Sequence, residues 1–428
     1  MVRYAGIKHD QICAISHELF DSSELTILEV PKELDDVPSK ELILNGRVKH
    51  GSIRYKFNKV PAKSLRVAFV SNWAQECGLS TFSSFLFPEI AKHVGQFKLF
   101  IEQNEKSTGN IHQFGDRILD ESDIAQCWKR GEELSDLIYE LKEYDPDIIL
   151  INHEFGIFPK ATAWLSMLTQ LFDYRTIVIQ HSIFPHHHDK LIVEAAMKEV
   201  VVHLEEARYN LKEEKKISAK VHVIPHGCYE FNEEKLWNFY KTEHTFIQAG
   251  FLFQYKNWSD SLRAVALLKN KYPDVFFTGI MSESPHAKVE HQIYYKELET
   301  LIKELGIENN VGLIRGFQSD EVVDAFFRTN KVAVFPYSSD PQSVVYGASG
   351  MARLAMSKCL PVITSTGHHF SDLPTIKADG AENIAKELDI LFSDWKTPIA
   401  QVKKQIEFMK ENSWEKAALQ YINIFENP

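Results

Sequence analysis

Beyond residue 64 the chain alternates short apolar runs with amphipathic stretches. Leu65-Arg66-Val67-Ala68-Phe69-Val70 reads as a buried strand, followed by a loop with Gly78 and a helix carrying Phe85, Leu86, Ile90 and Val94. The unit recurs: a helix around 134–141 leads to a strand at 148–151, and further strands are predicted at 176–179, 199–202 and 221–224. A second run starts after Gly227 and an acidic, aromatic stretch over 230–240. It has a strand at 245–249, a helix over 259–271 with Leu262, Val265, Ala266 and Leu268 on one face, a strand at 275–279, and continues to a strand at 361–364. Parallel strands with intervening helices, in two runs, predict two doubly wound α/β domains with a ligand cleft between them. The expected boundaries are an N-terminal extension at 1–63, domains at 64–228 and 229–395, and C-terminal helices at 396–428 packing back across the domains. In the extension, 42–48 and 52–57 read as two strands around Asn45-Gly46.

Composition narrows the class. The 428 residues are 44% hydrophobic, 25% charged and 12% aromatic, which suits a folded protein of several domains and excludes disordered or collagenous chains. Five scattered cysteines (Cys13, Cys77, Cys127, Cys228, Cys359) suggest neither a disulfide framework nor a zinc knuckle, so a reducing cytosol is expected. No apolar run approaches the roughly 20 residues of a membrane span, and Lys8, His9 and Asp10 interrupt any signal-peptide core, which makes a cytoplasmic location the expectation. The net charge of -11 argues against a nonspecific nucleic-acid coat. It hides a basic segment, since residues 43–75 hold no Asp or Glu but contain Arg47, Lys49, Arg54, Lys56, Lys59, Lys63 and Arg66. Such a segment reads as a charged sheet edge guarding against pairing, or as a peripheral contact with an anionic partner.

Neither G-x-G-x-x-G after a strand nor a P-loop occurs, so dinucleotide and P-loop chemistry find no support. Two other loops have small residues ahead of a helix, where backbone N–H groups can face an anion: Glu76-Cys77-Gly78-Leu79-Ser80-Thr81-Phe82 and Tyr346-Gly347-Ala348-Ser349-Gly350-Met351-Ala352-Arg353. Taken alone, each reads first as a tight connection. Together with His153-Glu154-Phe155-Gly156-Ile157-Phe158, Ile224-Pro225-His226-Gly227, Gly250-Phe251-Leu252-Phe253-Gln254-Tyr255-Lys256-Asn257, Leu360-Pro361-Val362-Ile363-Thr364-Ser365 and Ser413-Trp414-Glu415-Lys416-Ala417-Ala418, they form an ordered set over about residues 65–425. That set resembles glycosyltransferase family four, in its subgroup with Ser-Gly in the donor loop.

The resemblance implies a GT-B fold of two Rossmann-like domains facing a cleft, with the acceptor side in 64–228 and a nucleotide-sugar donor held mainly by 229–395. It implies a hexosyl or pentosyl transfer with retention of anomeric configuration, no metal, and no cofactor beyond the nucleotide-sugar co-substrate. Lys256 matches the family's donor-phosphate lysine, and Ser349 and Gly350 would complete a phosphate clamp at a helix start. Gly78 would line the cleft from the opposite domain. His181 matches the histidine that orients the transferred sugar. At another strand end, His153 and Glu154 are candidates for the acceptor, with Glu154 taking a proton or hydrogen bond from its hydroxyl; a structural pair anchoring the loop is the alternative. His226-Gly227 marks the crossing between domains. Phe317, Gln318 and Glu321 fall where the family borders the nucleobase.

Two departures bear on the donor. Tyr346 and Leu354 stand where many members carry paired glutamates, so Asp340, Gln342 or Ser343 would contact sugar hydroxyls instead. Leu252 replaces a common phosphate-binding arginine, leaving Arg353 or Arg315 to compensate. Other readings remain open: a metal at His186-His187-His188, a serine hydrolase using Ser349 with His368 or His369 and Asp372, or a non-catalytic scaffold. The acceptor partner is a saccharide, a lipid-linked sugar or a hydroxylated DNA base, the last two drawing on the basic segment.

Overall fold

The computed structural model describes residues 4–8, 11–16, 26–30, 46–49, 52–55, 60–103, 109–231, 243–283, 287–338, 344–394 and 396–427. By internal contacts the chain divides into two compact units, one of residues 1–64 with 423–428 and one of residues 65–422.

The smaller unit holds a five-stranded antiparallel sheet in the order β3-β1-β2-β4-β5. Its strands are β1 (Tyr4–Lys8), β2 (Gln11–Ser16), β3 (Thr26–Glu29), β4 (Gly46–Lys49) and β5 (Ser52–Tyr55). The predicted hairpin is present but its turn is displaced. Gly46 pairs with Tyr55 inside the ladder and Lys49 with Ser52, so the chain reverses beyond Lys49 rather than at Asn45-Gly46. The Asn-Gly signal is overridden by the register of the flanking strands.

The larger unit contains two parallel sheets. The first has the order β10-β7-β6-β11-β12-β13-β14 and the second β17-β16-β15-β18-β19-β20. The first is built from β6 (Arg66–Ser71), β7 (Gln96–Glu102), β10 (Ile124–Trp128), β11 (Ile148–His153), β12 (Arg175–Gln180), β13 (Glu199–Val202) and β14 (Lys220–Val223); a two-stranded ribbon of β8 (Gln113–Phe114) and β9 (Arg117–Ile118) precedes β10. The second comprises β15 (Thr245–Phe251), β16 (Phe276–Ser282), β17 (Val311–Arg315), β18 (Val332–Phe335), β19 (Val362–Thr364) and β20 (Ile376–Lys377). In chain order both sheets run 3-2-1-4-5-6, the doubly wound pattern, which the first extends by a seventh strand. The order reverses between β6 and β11 and between β15 and β18, and ligands gather at the carboxyl ends of strands at such points.

The helices are α1 (Gly78–Ala91), α2 (Ser135–Tyr144), α3 (Ala161–Gln170), α4 (Leu191–Ala195), α5 (Glu205–Tyr209), α6 (Trp258–Leu268), α7 (Lys288–Leu305), α8 (Asp320–Thr329), α9 (Gly350–Ser357), α10 (Gly380–Ser393), α11 (Lys396–Glu411) and α12 (Trp414–Glu426). Helices on both faces explain why β11 and β13 are buried at every position and carry apolar runs rather than alternation. Phe85 is 39% exposed rather than on the core face of α1; its ring stacks on Trp414 at 5.7 Å and meets Tyr229 edge-on at 4.8 Å.

Where the second half returns to the first, Gly227 is required. A Cβ there would lie 2.3 Å from the Trp414 ring. Beside it Cys228 N–H donates to the Asn412 carbonyl at 2.7 Å, seating the start of α12 against this crossing. No helix among the described residues is long and apolar enough to cross a membrane.

Candidate active site

Lys256 stands just past the carboxyl end of β15, in a single helical turn over Gln254–Lys256. Its place is set from below: buried Gln248 on β15 donates to the Lys256 carbonyl at 2.9 Å and accepts from Ser261 of α6 at 2.7 Å. The ammonium lies 3.7 Å above the Tyr337 ring centroid and 4.9 Å from that of Tyr255. No carboxylate among the described residues pairs with it, and burial pushes Lys256 down to about 7. Tyr337 follows β18, and Ser338 N–H donates to the Tyr255 carbonyl at 2.7 Å, so the loops of both strands flanking the switch point are tied together. His369 stacks on Tyr255 at 5.8 Å and bonds the Gly347 carbonyl at 2.6 Å; burial, then the charge of Lys256, holds it neutral, down to about 4.

The start of α9 adjoins this cation through Tyr337, whose hydroxyl is 3.5 Å from Ser349 Oγ. Ser349 caps α9 by accepting from Ala352 N–H at 3.3 Å, while its own N–H donates to the His369 carbonyl at 3.2 Å. The Ser349 N–H is therefore not open to a phosphate, a correction to its expected place in the clamp. The Gly350 and Met351 N–H groups remain the donors at the helix start. Arg353 requires a second correction. It is wholly buried, donating to the His226 carbonyl at 3.2 Å and the Ser349 carbonyl at 3.1 Å, and pairing with Asp372. It braces α9 against the interdomain crossing and, being wholly buried, is not open to a phosphate. The same pair removes Asp372 from any hydrolase arrangement with His369.

On the other side, His181 follows β12 and Glu154 follows β11. The His181 Nε2 bonds Asn152 Oδ1, and the ring packs edge-on against Phe82 at 4.5 Å and near His203 at 4.9 Å. Burial keeps His181, His203 and His226 neutral, each well below the ordinary imidazole range. Burial also raises Glu154 to about 6, against hydrogen bonds from Ser182 and Phe155 N–H. Its charge bears on Tyr255 of the second half. His153 contradicts its expected acceptor role: it is fully buried, stacked on Phe158 at 5.5 Å and beside Trp164 at 4.4 Å, with both ring nitrogens unbonded. The apolar shell of β11 and α3 takes the side chain inward. Gly78 opens α1, and a Cβ there would meet no atom within 4 Å, so it borders open space.

The halves are joined by backbone. Ile183 and Tyr346 exchange N–H···O bonds of 3.1 and 2.9 Å, and a Cβ on Gly347 would lie 2.7 Å from the His181 carbonyl. Tyr346, at the expected glutamate position, turns its ring edge to His368 at 4.9 Å. Leu252 is buried in the core, and Arg315, the last residue of the edge strand β17, pairs with Glu283 at 2.5 Å, so neither supplies the missing arginine. After β17, Phe317 is 38% exposed, Gln318 bonds the Arg315 and Gly316 carbonyls at 3.3 Å, and Glu321 bonds Ser319. Asp340, Gln342 and Ser343 lie outside the described residues, as do Lys56 and Lys59 of the basic segment. His187 approaches Asp189 at 3.9 Å. Asn152 and Tyr337 were missed in the sequence, although a polar residue inside Ile148-Ile149-Leu150-Ile151-Asn152 was a visible signal.

Residues 230–398 match the sequence model of the family described as glycosyl transferases group 1. Sucrose-phosphate synthase from Thermosynechococcus elongatus superposes with a TM-score of 0.65 at 14% identity, covering 84% of this chain and 98% of that one. HepE from Anabaena, in complex with UDP and glucose, gives 0.63 at 12% identity, covering 85% and 100%. Trehalose-6-phosphate synthase, in a study of enzymatic glycosyltransfer with retention, gives 0.63 at 13%, covering 85% and 99%. No curated protein matches in sequence. At these identities the likeness carries the fold, and the matched domain carries the activity class. With its doubly wound halves joined at the crossing of Gly227, the chain has the GT-B fold, and its residues 230–398 match the glycosyl transferases group 1 family.

Proposed function

We propose that this enzyme transfers a sugar with retention from a uridine-diphosphate donor to an acceptor hydroxyl, using no metal ion. One observation carries the reading: an ammonium without a carboxylate partner among the described residues, half buried at the switch point of the second sheet and beside the N-terminus of a helix. Breaking the sugar–phosphate bond builds charge on the leaving diphosphate, and a fixed cation with two backbone N–H donors stabilises it without reorganisation. Lys256, Gly350 and Met351 do this work. His181 lies on the sugar side, and Glu154, held near neutrality, accepts a hydrogen bond or proton from the acceptor. Phe317 offers its exposed ring to the base. UDP and glucose in the Anabaena relative support the donor, and the retention studied in trehalose-6-phosphate synthase supports the stereochemistry.

The test is transfer from UDP-glucose to a panel of sugar, lipid-linked and hydroxylated-DNA acceptors in the presence of EDTA, with the product anomer read by NMR. Lys256→Ala should lower kcat/KM about a hundredfold or more. An inverted product, dependence on added metal, or near-native turnover by the variant would each refute the corresponding part.

A further inference from the structure

Buried Asn152 closes β11 at the switch point of the first sheet, and its surroundings determine the direction of every hydrogen bond around it. Its Nδ2 lies 3.1 Å from the Leu79 carbonyl, 2.7 Å from Ser83 Oγ and 3.2 Å from Ser71 Oγ. A carbonyl only accepts, so the Leu79 contact fixes which end of the amide is NH2 and leaves Oδ1 facing His181 Nε2. The hydroxyls agree with this assignment. Ser71 donates to the Asn72 carbonyl at 2.8 Å, which leaves its oxygen to accept from Ser83 at 2.8 Å, and Ser83 in turn accepts from Asn152. The chain of donors is thus closed, and its last member must be an N–H at His181 Nε2.

From this network we infer that Asn152 is a positioning residue that locks His181 in the Nε2–H tautomer, so that Nδ1 presents a lone pair to a hydroxyl of the transferred sugar. His181 Nδ1 makes no hydrogen bond to the protein among the described residues. Among the described residues Phe82 from α1 and His203 after β13 pack against the ring, His153 lies within electrostatic reach, and burial keeps both of these histidines neutral. The arrangement makes a chemical selection: a lone pair at Nδ1 accepts from a hydroxyl and repels a group that only accepts, such as a carboxylate. The same amide ties the end of β6 and the first turn of α1 to His181, so the glycine loop and the sugar-side histidine share one support.

The selection of a hydroxyl rests on the proposed donor site, whereas the tautomer does not, and the experiment separates them. Nitrogen-15 NMR of histidine-labelled full-length protein, with the His181 resonances assigned from a His181→Gln sample, should show a protonated Nε2 and a bare Nδ1 near pH 7 without donor. A protonated Nδ1, or an imidazolium, overturns the inference. Asn152→Leu should mix the tautomers and lower kcat for UDP-glucose roughly tenfold with donor KM little changed, the scale of one neutral hydrogen bond. Asn152→Asp, which keeps an acceptor facing Nε2, should restore the wild-type tautomer. Unchanged tautomers in Asn152→Leu overturn the locking role. Altered tautomers with unchanged kcat overturn the hydroxyl contact. Absence of transfer from every donor in wild type, with the tautomer as described, refutes the proposed function and leaves the lock standing.

Discussion

On the proposed donor site, Lys256 should make donor binding a protonation event. Burial over the Tyr337 ring pushes its ammonium from an ordinary value of 10.5 down to about 7, because no carboxylate offsets the lost hydration. A diphosphate supplies the missing counter-charge, so only the protonated enzyme binds well, and the observed Kd is the intrinsic value divided by the protonated fraction. That fraction is near unity at about pH 5.5 and about 3% at about pH 8.5, so the Kd for UDP-glucose should rise roughly thirtyfold between them, approaching tenfold per unit above pH 7. Neighbouring groups leave the steep part of this window, above pH 7, clear. Burial holds Tyr255 and Tyr337 well above it, and His369 is already neutral, pushed down to about 4. Glu154, raised to about 6, is ionised before the slope develops. Titration calorimetry in two buffers of different ionisation enthalpy would measure both affinity and proton uptake, which should approach one proton per donor at about pH 8. Lys256→Arg keeps its charge throughout and should flatten the profile. A Kd for UDP-glucose that is constant from pH 6 to 9, or binding with no proton uptake at pH 8, would refute the reasoning.

Two further outcomes test the frame around the site. Gly227→Ala puts a methyl 2.3 Å from Trp414, whose ring is held by Phe82, Phe85 and His226, so it should cost about 3 kcal/mol in denaturant unfolding. Adding Trp414→Leu should cost less than the two single losses combined, and strict additivity would show that the clash is not the cause. At the opposite end of the first sheet, Glu199 receives Arg175 through two bonds of 3.0 Å and His222 at 2.9 Å; although burial alone would raise it, these bonds hold it down to about 2. A depressed carboxylate stabilises fully above its ordinary value of 4.5 and loses that contribution as pH falls through about 2, so Tm should decline across this range, and Glu199→Gln should decline less. Parallel Tm curves for the two proteins would discard that assignment.

How much of this was legible in the sequence follows from what each signal depends on. Strand positions along the two parallel sheets were readable because both faces are covered, which forces runs such as Phe246-Ile247 and Val332-Ala333-Val334-Phe335 to be apolar throughout. Lys256 and His181, singled out by the family resemblance, each follow a strand end as read, where the doubly wound order opens a crevice. What failed was the direction of side chains in loops. Arg353 lies one turn into α9, and its inward rotation to Asp372 depends on residues 19 positions away. The inward turn of His153 depends on Phe158 and Trp164 in the same way. Gly347 was read as backbone freedom, whereas its reason is the His181 carbonyl of the other half. Local pattern carries periodicity, and these contacts are long-range.

Tyr346 explains how the enzyme manages without the expected glutamate. A carboxylate at that position would bring a negative charge to the donor loop. Here the backbone of Tyr346 is bridged to Ile183, Gly347 lies against the His181 carbonyl, and Arg353 of the following helix holds the His226 carbonyl. Three contacts within eight residues thus join the donor loop to the first half, and all are made by backbone or by a fully paired cation. The neutral histidines on the sugar side and the uncompensated ammonium on the phosphate side are consequently held in one frame before a donor arrives. On the proposed function, recognition in such a site divides by charge: the diphosphate would answer to Lys256 and the start of α9, while the sugar would meet uncharged hydrogen-bonding groups whose orientation the protein has already set.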